Sequence, residues 1–274
     1  MKVVVVNDCA HVMEDLMPYL SESFEVKFIQ RSRGWWSKTF GVLWKILRAK
    51  GDLFHVNYAL QDAYLVDKFK HHLDVLHVHG SDVRWTLHSK KYGWIARSNL
   101  KHADKVLYAT PDLEQTVKKF RSDAVYLPTP VKTSVFNMKS HYNKHPKAVY
   151  FKLHYEKLPE KLRSLLLKHN ITLTVKERDV PYDSMPSVLS SFDIHVDRST
   201  IPSLSKTCLE AMSCGLATID YRHKTQLSER VALLSDVSNV KKIGEENRKF
   251  VIENHEVGKV AETLTKVWNK MSEV

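Results

Sequence analysis

The sequence is poor in glycine and cysteine, and both shortages exclude familiar kinds of site. Its 274 residues include eight glycines, and none forms the GxGxxG turn of dinucleotide-binding proteins or a Walker A loop. A phosphate site in this chain would therefore need other donors. The three cysteines, Cys9, Cys208 and Cys214, are too few for a disulfide framework and lack the spacing of metal ligands. We therefore expect a reducing, cytoplasmic environment.

Long apolar runs and acidic residues are also scarce. No stretch approaches the roughly 18 to 20 apolar residues of a membrane-spanning helix, and the four valines at residues 3–6 are too few for the core of a secretory signal. Any membrane contact is therefore expected to be peripheral, on the inner membrane face. Lys and Arg number 42 against 31 Asp and Glu, a net charge of +11. This balance favours anionic partners such as nucleic acid, nucleotide sugars or acidic lipid head groups, without choosing among them.

Short β-branched runs alternate with helical patterns, which predicts βαβ units and parallel sheets. The runs lie at residues 3–6, 26–29, 53–57, 75–79, 106–108 and 125–127, then at 149–151, 171–175, 194–196 and 217–220. A proline-containing segment at 128–146 interrupts the alternation and reads as a linker. We therefore predict an N-terminal α/β domain at 1–135, a C-terminal α/β domain at 136–255 and a closing amphipathic helix at 256–274 that crosses back to the first domain.

The stretch IPSLSKTCLEAMSCGLATIDY, residues 201–221, is the strongest candidate for a phosphate site. It follows a predicted strand and passes through a turn of small hydroxyl residues into a helix that ends at Gly215. A helix N-terminus presents unpaired amides and a positive dipole end, which suits a diphosphate. The predicted donors are the amides of Ser203, Leu204, Ser205, Lys206 and Thr207, with a full charge on the Lys206 side chain.

A structural interpretation of the same stretch stays open. Thr207 and Glu210 have the spacing of a capping box, in which the Glu210 side chain would bond the Thr207 amide. Glu210 would then hold only the start of the helix.

The run LEAMSCGLATI, residues 209–219, resembles the C-terminal signature of family-4 retaining glycosyltransferases of the GT-B fold. In that family a Glu-x7-Glu element precedes the run, and its second Glu, which matches Glu210, binds the ribose of a nucleotide sugar. The first Glu falls at Pro202, where this sequence departs from the pattern. The resemblance implies an α/β GT-B fold, with two Rossmann-like domains facing each other across a cleft.

Further segments are similar to the same family. VYFKLHYEKL, residues 149–158, resembles the element whose two cations hold the donor diphosphate and stabilise the leaving nucleotide without a metal; Lys152 and Lys157 match them. The family's base-binding loop falls around Val180 and Tyr182. The resemblance implies no cofactor and no metal.

The segment VLHVHGSDVRW, residues 75–85, ends a predicted strand in His-Gly-Ser-Asp. The matching strand end of the family carries a His that faces the reacting sugar, so the resemblance makes His79 a catalytic candidate. His77 lies on the same face of the strand by alternation. A structural role for His79, bonding only backbone, stays open.

The segment RSRGWWSKTFGVLWKILRAKG, residues 31–51, carries three tryptophans and six basic residues with no carboxylate. On a helix from about 35 to 50, apolar residues recur at steps of three and four. Two interpretations stay open: a helix that packs on the sheet, or one that lies in a membrane interface or contacts the acceptor. The residues concerned are Arg31, Arg33, Trp35, Trp36, Lys38, Phe40 and Trp44.

The resemblance implies a glycosyltransferase that moves a sugar from a nucleotide diphosphate sugar to a lipid-linked or glycan acceptor with retention of configuration. Two alternatives remain. Pro202 at the first Glu position favours a catalytically silent relative that binds nucleotide sugar or a partner subunit. The net charge favours a nucleic-acid-binding protein, although no nucleic-acid module is recognisable and no nucleic acid is expected.

Overall fold

The computed structural model describes residues 1–31, 40–153 and 155–273. The chain forms two compact units, one of Met1–Pro130 with Gly258–Val274 and one of Val131–Val257. The predicted boundary at 135/136 lies shortly after the start of the second unit. Residues 32–39, and with them Arg33, Trp35, Trp36 and Lys38, lie outside the described residues.

The first unit contains a six-stranded parallel sheet in the order β2-β1-β3-β4-β5-β6. Its central strands are buried on both faces, as their valine-rich sequences predict. The strands are β1 Lys2–Val6, β2 Glu25–Ile29, β3 Leu53–Asn57, β4 Val75–Val78, β5 Lys105–Tyr108 and β6 Val125–Tyr126.

Helices follow the strands of the first sheet, which confirms the predicted βαβ alternation. They are α1 Val12–Leu20, α2 Val42–Arg48, α3 Gln61–Lys70, α4 Ser81–Arg84, α5 Gly93–His102 and α6 Glu114–Lys118. The last helix of the chain, α12 Val257–Ser272, also packs in this unit. Its Trp268 is fully buried and donates its indole N–H to His55 Nδ1 at 3.1 Å.

The second unit contains a four-stranded parallel sheet in the order β10-β9-β7-β8. The strands are β7 Lys147–Phe151, β8 Thr172–Lys176, β9 Ile194–Val196 and β10 Ala217–Ile219. The helices are α7 Glu160–Lys168, α8 Met185–Ser190, α9 Lys206–Ser213, α10 Leu227–Leu233 and α11 Val237–Asn254. Helix α9 ends as predicted before Gly215, which adopts φ +80°.

The predicted linker is held to the second unit by buried polar contacts. Lys139 is buried, and its Nζ donates to the Phe192 carbonyl at 2.5 Å and to Asp193 Oδ1 at 2.6 Å. Asp193 also accepts from the Asn143 backbone at 3.1 Å and from its side chain at 2.8 Å. The segment is therefore part of the folded unit, although it has little regular secondary structure.

Candidate functional site

The second sheet has a topological switch point between β7 and β9, because the strand order reverses there. In open α/β sheets, ligands bind beyond the carboxyl ends of the strands at such a point. The loop after β7, residues 152–159, and the loop after β9, residues 197–205, both emerge there. The predicted donor-binding residues on these loops and on α9 therefore lie at the edge where a ligand is expected.

Ser205 starts α9 as its N-cap. Its hydroxyl accepts from the Cys208 amide at 3.1 Å and donates to Asp197 Oδ1 at 2.7 Å. The capping box between Thr207 and Glu210 is therefore wrong, because the helix is capped two residues before Thr207. Glu210 is therefore not the N3 partner of a capping box.

Two of the five amides predicted to hold a diphosphate are already bonded within the chain. The Ser203 amide donates to the Ile201 carbonyl at 2.8 Å, and the Ser205 amide donates to Asp197 Oδ2 at 2.9 Å. The prediction that all five amides are available is wrong at these two positions. The physical reason is that the loop folds back on itself and brings the Asp197 carboxylate to the start of α9.

Arg198 braces the same loop. Its Nη2 donates to Ser203 Oγ at 2.8 Å and to the Leu204 carbonyl at 3.3 Å, and its Nε donates to the Ser203 carbonyl at 3.1 Å. Sequence reasoning missed this residue. The signal that was present is an arginine directly after a strand and before a turn of small residues.

Lys206, Glu210 and Tyr182 come together at the first turn of α9. The Lys206 side chain is only 8% exposed, and its Nζ lies 3.9 Å from Glu210 Oε1 and 5.1 Å from the centroid of the Tyr182 ring. Glu210 is buried. One hydrophobic core cluster of the second unit is in contact with Val180, Tyr182 and Leu204. The predicted ribose, base and phosphate residues thus share one side of the second unit.

Lys152 and Lys157 do not join this cluster. Lys152 is exposed and forms an ion pair with Glu177, and Lys157 is exposed on the same loop. Within the described residues neither ammonium group is hydrogen-bonded or ion-paired to the loop at 197–205. Both side chains extend into solvent from the loop after β7, and their convergence with Lys206 on a diphosphate stays a prediction.

Glu156 links the two loops instead. Its Oε1 accepts from the Ser199 amide at 2.8 Å and hydroxyl at 2.7 Å, and its Oε2 accepts from the Thr200 hydroxyl at 2.6 Å. Burial raises the pKa of Glu156, but the hydrogen bonds from Thr200 and Ser199 outweigh burial and hold its pKa below the ordinary value. The carboxylate is therefore ionised at neutral pH and ties the loops together.

The first sheet also has a switch point, between β1 and β3, and candidate residues lie beside it. His79 follows β4, and its Nε2 lies 2.7 Å from Asn57 Oδ1. The Asn57 Nδ2 in turn donates to the Asn7 carbonyl at 2.8 Å. A cavity of about 350 Å³ opens at the same edge, and its lining includes Asn7, Asp8, Arg31 and Tyr58.

The His-Gly-Ser-Asp motif has a structural component. Asp82 is buried and accepts from the amides of Ala59 at 3.0 Å and of Gly80 at 2.9 Å, which joins the ends of β3 and β4. Gly80 adopts φ +133°, and a Cβ there would lie 1.9 Å from Arg84 Nη1. The positive φ therefore favours glycine at this position. The motif therefore fixes the loop that carries His79.

His77 and His79 lie on the same face of β4, as strand alternation predicts, with ring centroids 4.1 Å apart. His77 is buried, and neither of its ring nitrogens has a hydrogen-bond partner within the described residues. Burial, with smaller effects from His79 and His55, lowers the pKa of His77 well below its ordinary value. His77 is therefore neutral, and His79 is the histidine at the strand end.

Helix α2, together with Phe40 just before it, presents an apolar face to solvent. Phe40 and Trp44 are each 57% exposed and Leu47 is 43% exposed, whereas Val42 and Ile46 are buried. The helix packs inward through Val42 and Ile46. The predicted apolar stripe of Trp36, Phe40, Leu43, Trp44 and Leu47 does not make that contact at Phe40, Trp44 and Leu47, while Leu43 is half-buried and Trp36 lies outside the described residues. The Arg48 guanidinium lies 4.2 Å from the centroid of the Trp44 ring. Among the described residues, no helix is both long and apolar enough to span a bilayer.

Neither a protein-family model nor a curated protein matches this sequence. Solved structures do match its fold. Sucrose-phosphate synthase from Thermosynechococcus elongatus has a TM-score of 0.69 at 11% identity, with 99% of each chain covered. A UDP-forming trehalose-phosphate synthase from Burkholderia xenovorans has a TM-score of 0.66 at 7% identity, also with 99% of each chain covered.

The catalytic domain of starch synthase IV from Arabidopsis thaliana has a TM-score of 0.65 at 10% identity and covers 100% of this chain and 99% of that one. These structures match the whole chain rather than one of its sheets. The predicted fold class is confirmed: the chain has the α/β GT-B fold, with Rossmann-like parallel sheets.

Proposed function

We propose that this protein transfers a sugar from a nucleotide diphosphate sugar to an acceptor. The observation that carries the proposal is the cluster at the start of α9, where the Lys206 ammonium is held beside Glu210 and the Tyr182 ring. A nearly buried cation at a helix N-terminus, on the switch point of a parallel sheet, suits an anionic ligand. The resemblance of residues 209–219 to family-4 retaining glycosyltransferases supports the same ligand.

Each residue of the cluster has a proposed role. Lys206 and the remaining amides at the start of α9 bind the diphosphate, while Arg198 keeps their loop in shape. Glu210 binds the ribose, and the loop with Val180 and Tyr182 contacts the base. Lys152 and Lys157, which extend into solvent on the neighbouring loop, neutralise the leaving nucleotide, so no metal is required.

The acceptor side is proposed to lie at the first sheet. His79 contacts the transferred sugar, and the cavity lined by Asp8, Arg31 and Tyr58 binds part of the acceptor, a glycan or a lipid-linked sugar. A second matching structure is of a trehalose-6-phosphate synthase described as transferring its sugar with retention, and the matching starch synthase structure holds ADP. We propose retention here as well, and UDP and ADP are the first nucleotides to test.

Thermal unfolding with UDP, ADP and GDP, each free and as its glucose derivative, tests the donor site. We expect one nucleotide to raise the Tm of the wild-type protein, because a ligand that binds only the folded state stabilises it. Lys206→Met keeps the alkyl chain against Tyr182 but removes the charge, so the Tm shift should disappear. Lys241→Met, on the exposed face of α11, should keep the full shift. A shift that survives in Lys206→Met would contradict the proposed site.

A catalytically silent relative is the second candidate. Pro202 stands where the family has its first Glu. The carboxylates of Asp197 and Glu156 also accept hydrogen bonds from backbone amides that would otherwise face the nucleotide sugar. The two candidates differ in turnover. Release of nucleotide diphosphate from the bound nucleotide sugar, with and without extracted membrane lipid, supports the transferase. Binding without release under both conditions would support the silent relative.

We also propose that the exposed face of α2 contacts an anionic membrane surface. Phe40, Trp44 and Leu47 give it an apolar face, and Lys45 and Arg48 flank that face with positive charge. This is the pattern of a helix that lies in a bilayer interface. Anionic lipid would add about 1 kcal/mol for each nearby cation.

Co-sedimentation with lipid vesicles tests the membrane contact. One set of vesicles is pure phosphatidylcholine, and the other contains about 30% phosphatidylserine, which gives a negative surface charge. Wild-type protein should bind the anionic vesicles, and Trp44→Ser should weaken binding about tenfold because a buried indole is lost. Trp94→Ser removes another half-exposed tryptophan, on α5, and should have no effect. Equal binding of both variants would rule out this face as the contact.

A further inference from the structure

Asp197 places a carboxylate at the start of α9, on the carboxyl edge of the second sheet. Its Oδ2 accepts from the Ser205 amide at 2.9 Å, and its Oδ1 accepts from the Ser205 hydroxyl at 2.7 Å. The Ser205 hydroxyl in turn accepts from the Cys208 amide at 3.1 Å. Asp197 is only 8% exposed. The chain therefore brings a shielded negative charge of its own to the helix end where the proposed function puts a diphosphate.

The charge of Asp197 is not compensated by a cation among the described residues. None of the described ion pairs of the second unit includes this carboxylate. Arg198 follows it directly in the sequence, but the Arg198 guanidinium donates to Ser203 and to the backbone of the same loop. The two donors of Ser205 and the positive end of the helix dipole offset the charge instead.

Two titratable side chains close to Asp197 are neutral. His195 is buried on β9, and burial lowers its pKa although the charges of Asp197 and Asp220 act in the opposite direction. Cys208 is buried on α9, and burial, with a smaller effect from Asp197, raises the pKa of its thiol well above the ordinary value. Neither side chain therefore carries a positive charge that offsets the carboxylate.

The start of α9 holds a second carboxylate beside its lysine. Glu210 is buried, and its Oε1 lies 3.9 Å from the Lys206 ammonium. With both carboxylates ionised, negative charges outnumber positive ones among Asp197, Lys206 and Glu210. Repulsion between like charges is strong where little water intervenes. A ligand with fewer negative charges is therefore repelled less at this helix end than one with more.

The donor and the product of a glycosyl transfer differ in charge. In a nucleotide diphosphate sugar the outer phosphate is esterified by the sugar. In the free nucleoside diphosphate the same phosphate is a terminal group, whose second ionisation has a pKa of about 6. The product therefore carries about one more negative charge at neutral pH. A fixed carboxylate nearby repels the product more than it repels the donor.

We propose that Asp197 is a specificity-determining residue that makes the donor site favour the nucleotide diphosphate sugar over the free nucleoside diphosphate, and so promotes release of the product. The inference rests on the proposed function, since it requires a diphosphate at the start of α9. Asp197 acts through its charge rather than through contact with the ligand. Removal of that charge tightens binding, whereas removal of a residue that holds the ligand weakens it.

Asp197→Asn removes the charge and keeps the hydrogen bonds, because the new amide oxygen accepts from the Ser205 amide and the new amide nitrogen donates to the Ser205 hydroxyl. Calorimetric titration of the full chain with UDP and UDP-glucose, and with ADP and ADP-glucose, measures binding. At about pH 7.5 we expect the Kd of the nucleoside diphosphate to fall about tenfold and that of its glucose derivative to fall about threefold. The preference for the donor over the product should therefore decrease about threefold.

The matched control is Asp236→Asn. Asp236 also accepts from the amide and the hydroxyl of one serine, Ser238, at 2.8 and 2.7 Å, but it caps α11. Both dissociation constants should be unchanged in that variant. If the nucleotides bind and Asp197→Asn keeps the wild-type preference, the proposal is overturned while the proposed function stands. If none of the four ligands binds either the wild type or Asp197→Asn, the proposed function is refuted and the proposal with it.

The pH dependence separates the charge of Asp197 from its effect on the shape of the loop. Below about pH 6 the terminal phosphate of the product gains a proton. The wild-type preference for the glucose derivative should therefore increase as the pH rises from about 5.5 to about 7.5, and this increase should be smaller in Asp197→Asn. A change of loop shape alone would affect both ligands alike at each pH. A wild-type preference that does not increase with pH would overturn the proposal even if Asp197→Asn fails to fold.

Discussion

At the scale of single residues, the buried ion pair of Lys139 and Asp193 has the largest expected effect on stability. Both side chains are almost completely buried. Besides the bond from Lys139, Asp193 accepts three hydrogen bonds, two from Asn143 and one from the Lys147 amide. A buried pair adds little over an apolar core, but the removal of one partner leaves an uncompensated charge.

We therefore expect Lys139→Met to lower the free energy of unfolding of the second unit by about 3 to 5 kcal/mol. Urea titration followed by far-UV circular dichroism measures the change. Lys144→Met, at an exposed position of the same segment, should change the free energy of unfolding by less than about 0.5 kcal/mol. Similar midpoints for the two variants would mean that Asp193 finds other compensation.

The sequence indicated several candidate site residues but not their partners. Glu210, Lys206 and His79 were recognisable because each lies in a short segment with a known pattern. Lys139 and Asn57 were not, because their partners, Asp193 and His79 respectively, lie far away in the sequence. No local pattern distinguishes a buried lysine from one of the many exposed ones.

At the scale of secondary-structure elements, α11 packs against the end of α9 through glycine. A Cβ on Gly244 would lie 2.0 Å from the Gly215 carbonyl oxygen and 2.9 Å from the Tyr142 hydroxyl oxygen. Tyr142 donates to that same carbonyl at 2.9 Å. The absence of a side chain therefore sets how closely the two helices approach.

In an exposed helix Gly→Ala stabilises by about 1 kcal/mol. At Gly244 we expect the opposite sign, with a loss of about 1 to 3 kcal/mol, because the new methyl group has no room. Thermal unfolding of Gly244→Ala and of Glu245→Ala, at the exposed neighbouring position, measures the difference. A Tm for Gly244→Ala above that of the wild type would show that the helix shifts at little cost.

The elements themselves were largely predictable. Runs such as residues 3–6 are buried on both faces of a parallel sheet. Strands of this kind consist almost entirely of apolar residues, so they can be recognised in the sequence. The orientation of α2 was not predictable, because apolar residues occupy both of its faces. Val42 and Ile46 pack inward, while Trp44 and Leu47 are exposed, and spacing alone does not rank two apolar faces.

At the scale of the whole molecule, buried histidines should make the protein sensitive to acid. Burial lowers the pKa of His55 to about 3 and lowers the pKa of His77 and His195 as well. These rings are neutral when folded but take up protons when unfolded below about pH 6.5. Stability is therefore complete above that pH and decreases as the pH falls toward the folded pKa.

Between pH 7.5 and 5.5 we expect the free energy of unfolding to decrease by about 1.4 kcal/mol for each of His55 and His77, with a further loss of the same sign from His195. Urea titrations at several pH values measure the slope. His77→Leu should reduce the slope by one proton. It should also raise stability at pH 7.5 by about 1 kcal/mol, since neither ring nitrogen of His77 has a hydrogen-bond partner in the part of the chain that the structure describes. A slope that is unchanged in His77→Leu would contradict a neutral buried ring.

The buried ion pair of Lys139 limits where a fragment that contains only the second unit can begin. A fragment that starts at the first residue of β7 would leave the Asp193 carboxylate in an apolar interior with no cation. One that starts at Val131 keeps the cation, and also keeps the backbone pairing of Val131 with the stretch just before α12. Expression boundaries placed by the first regular strand would therefore remove the cation that this buried carboxylate requires.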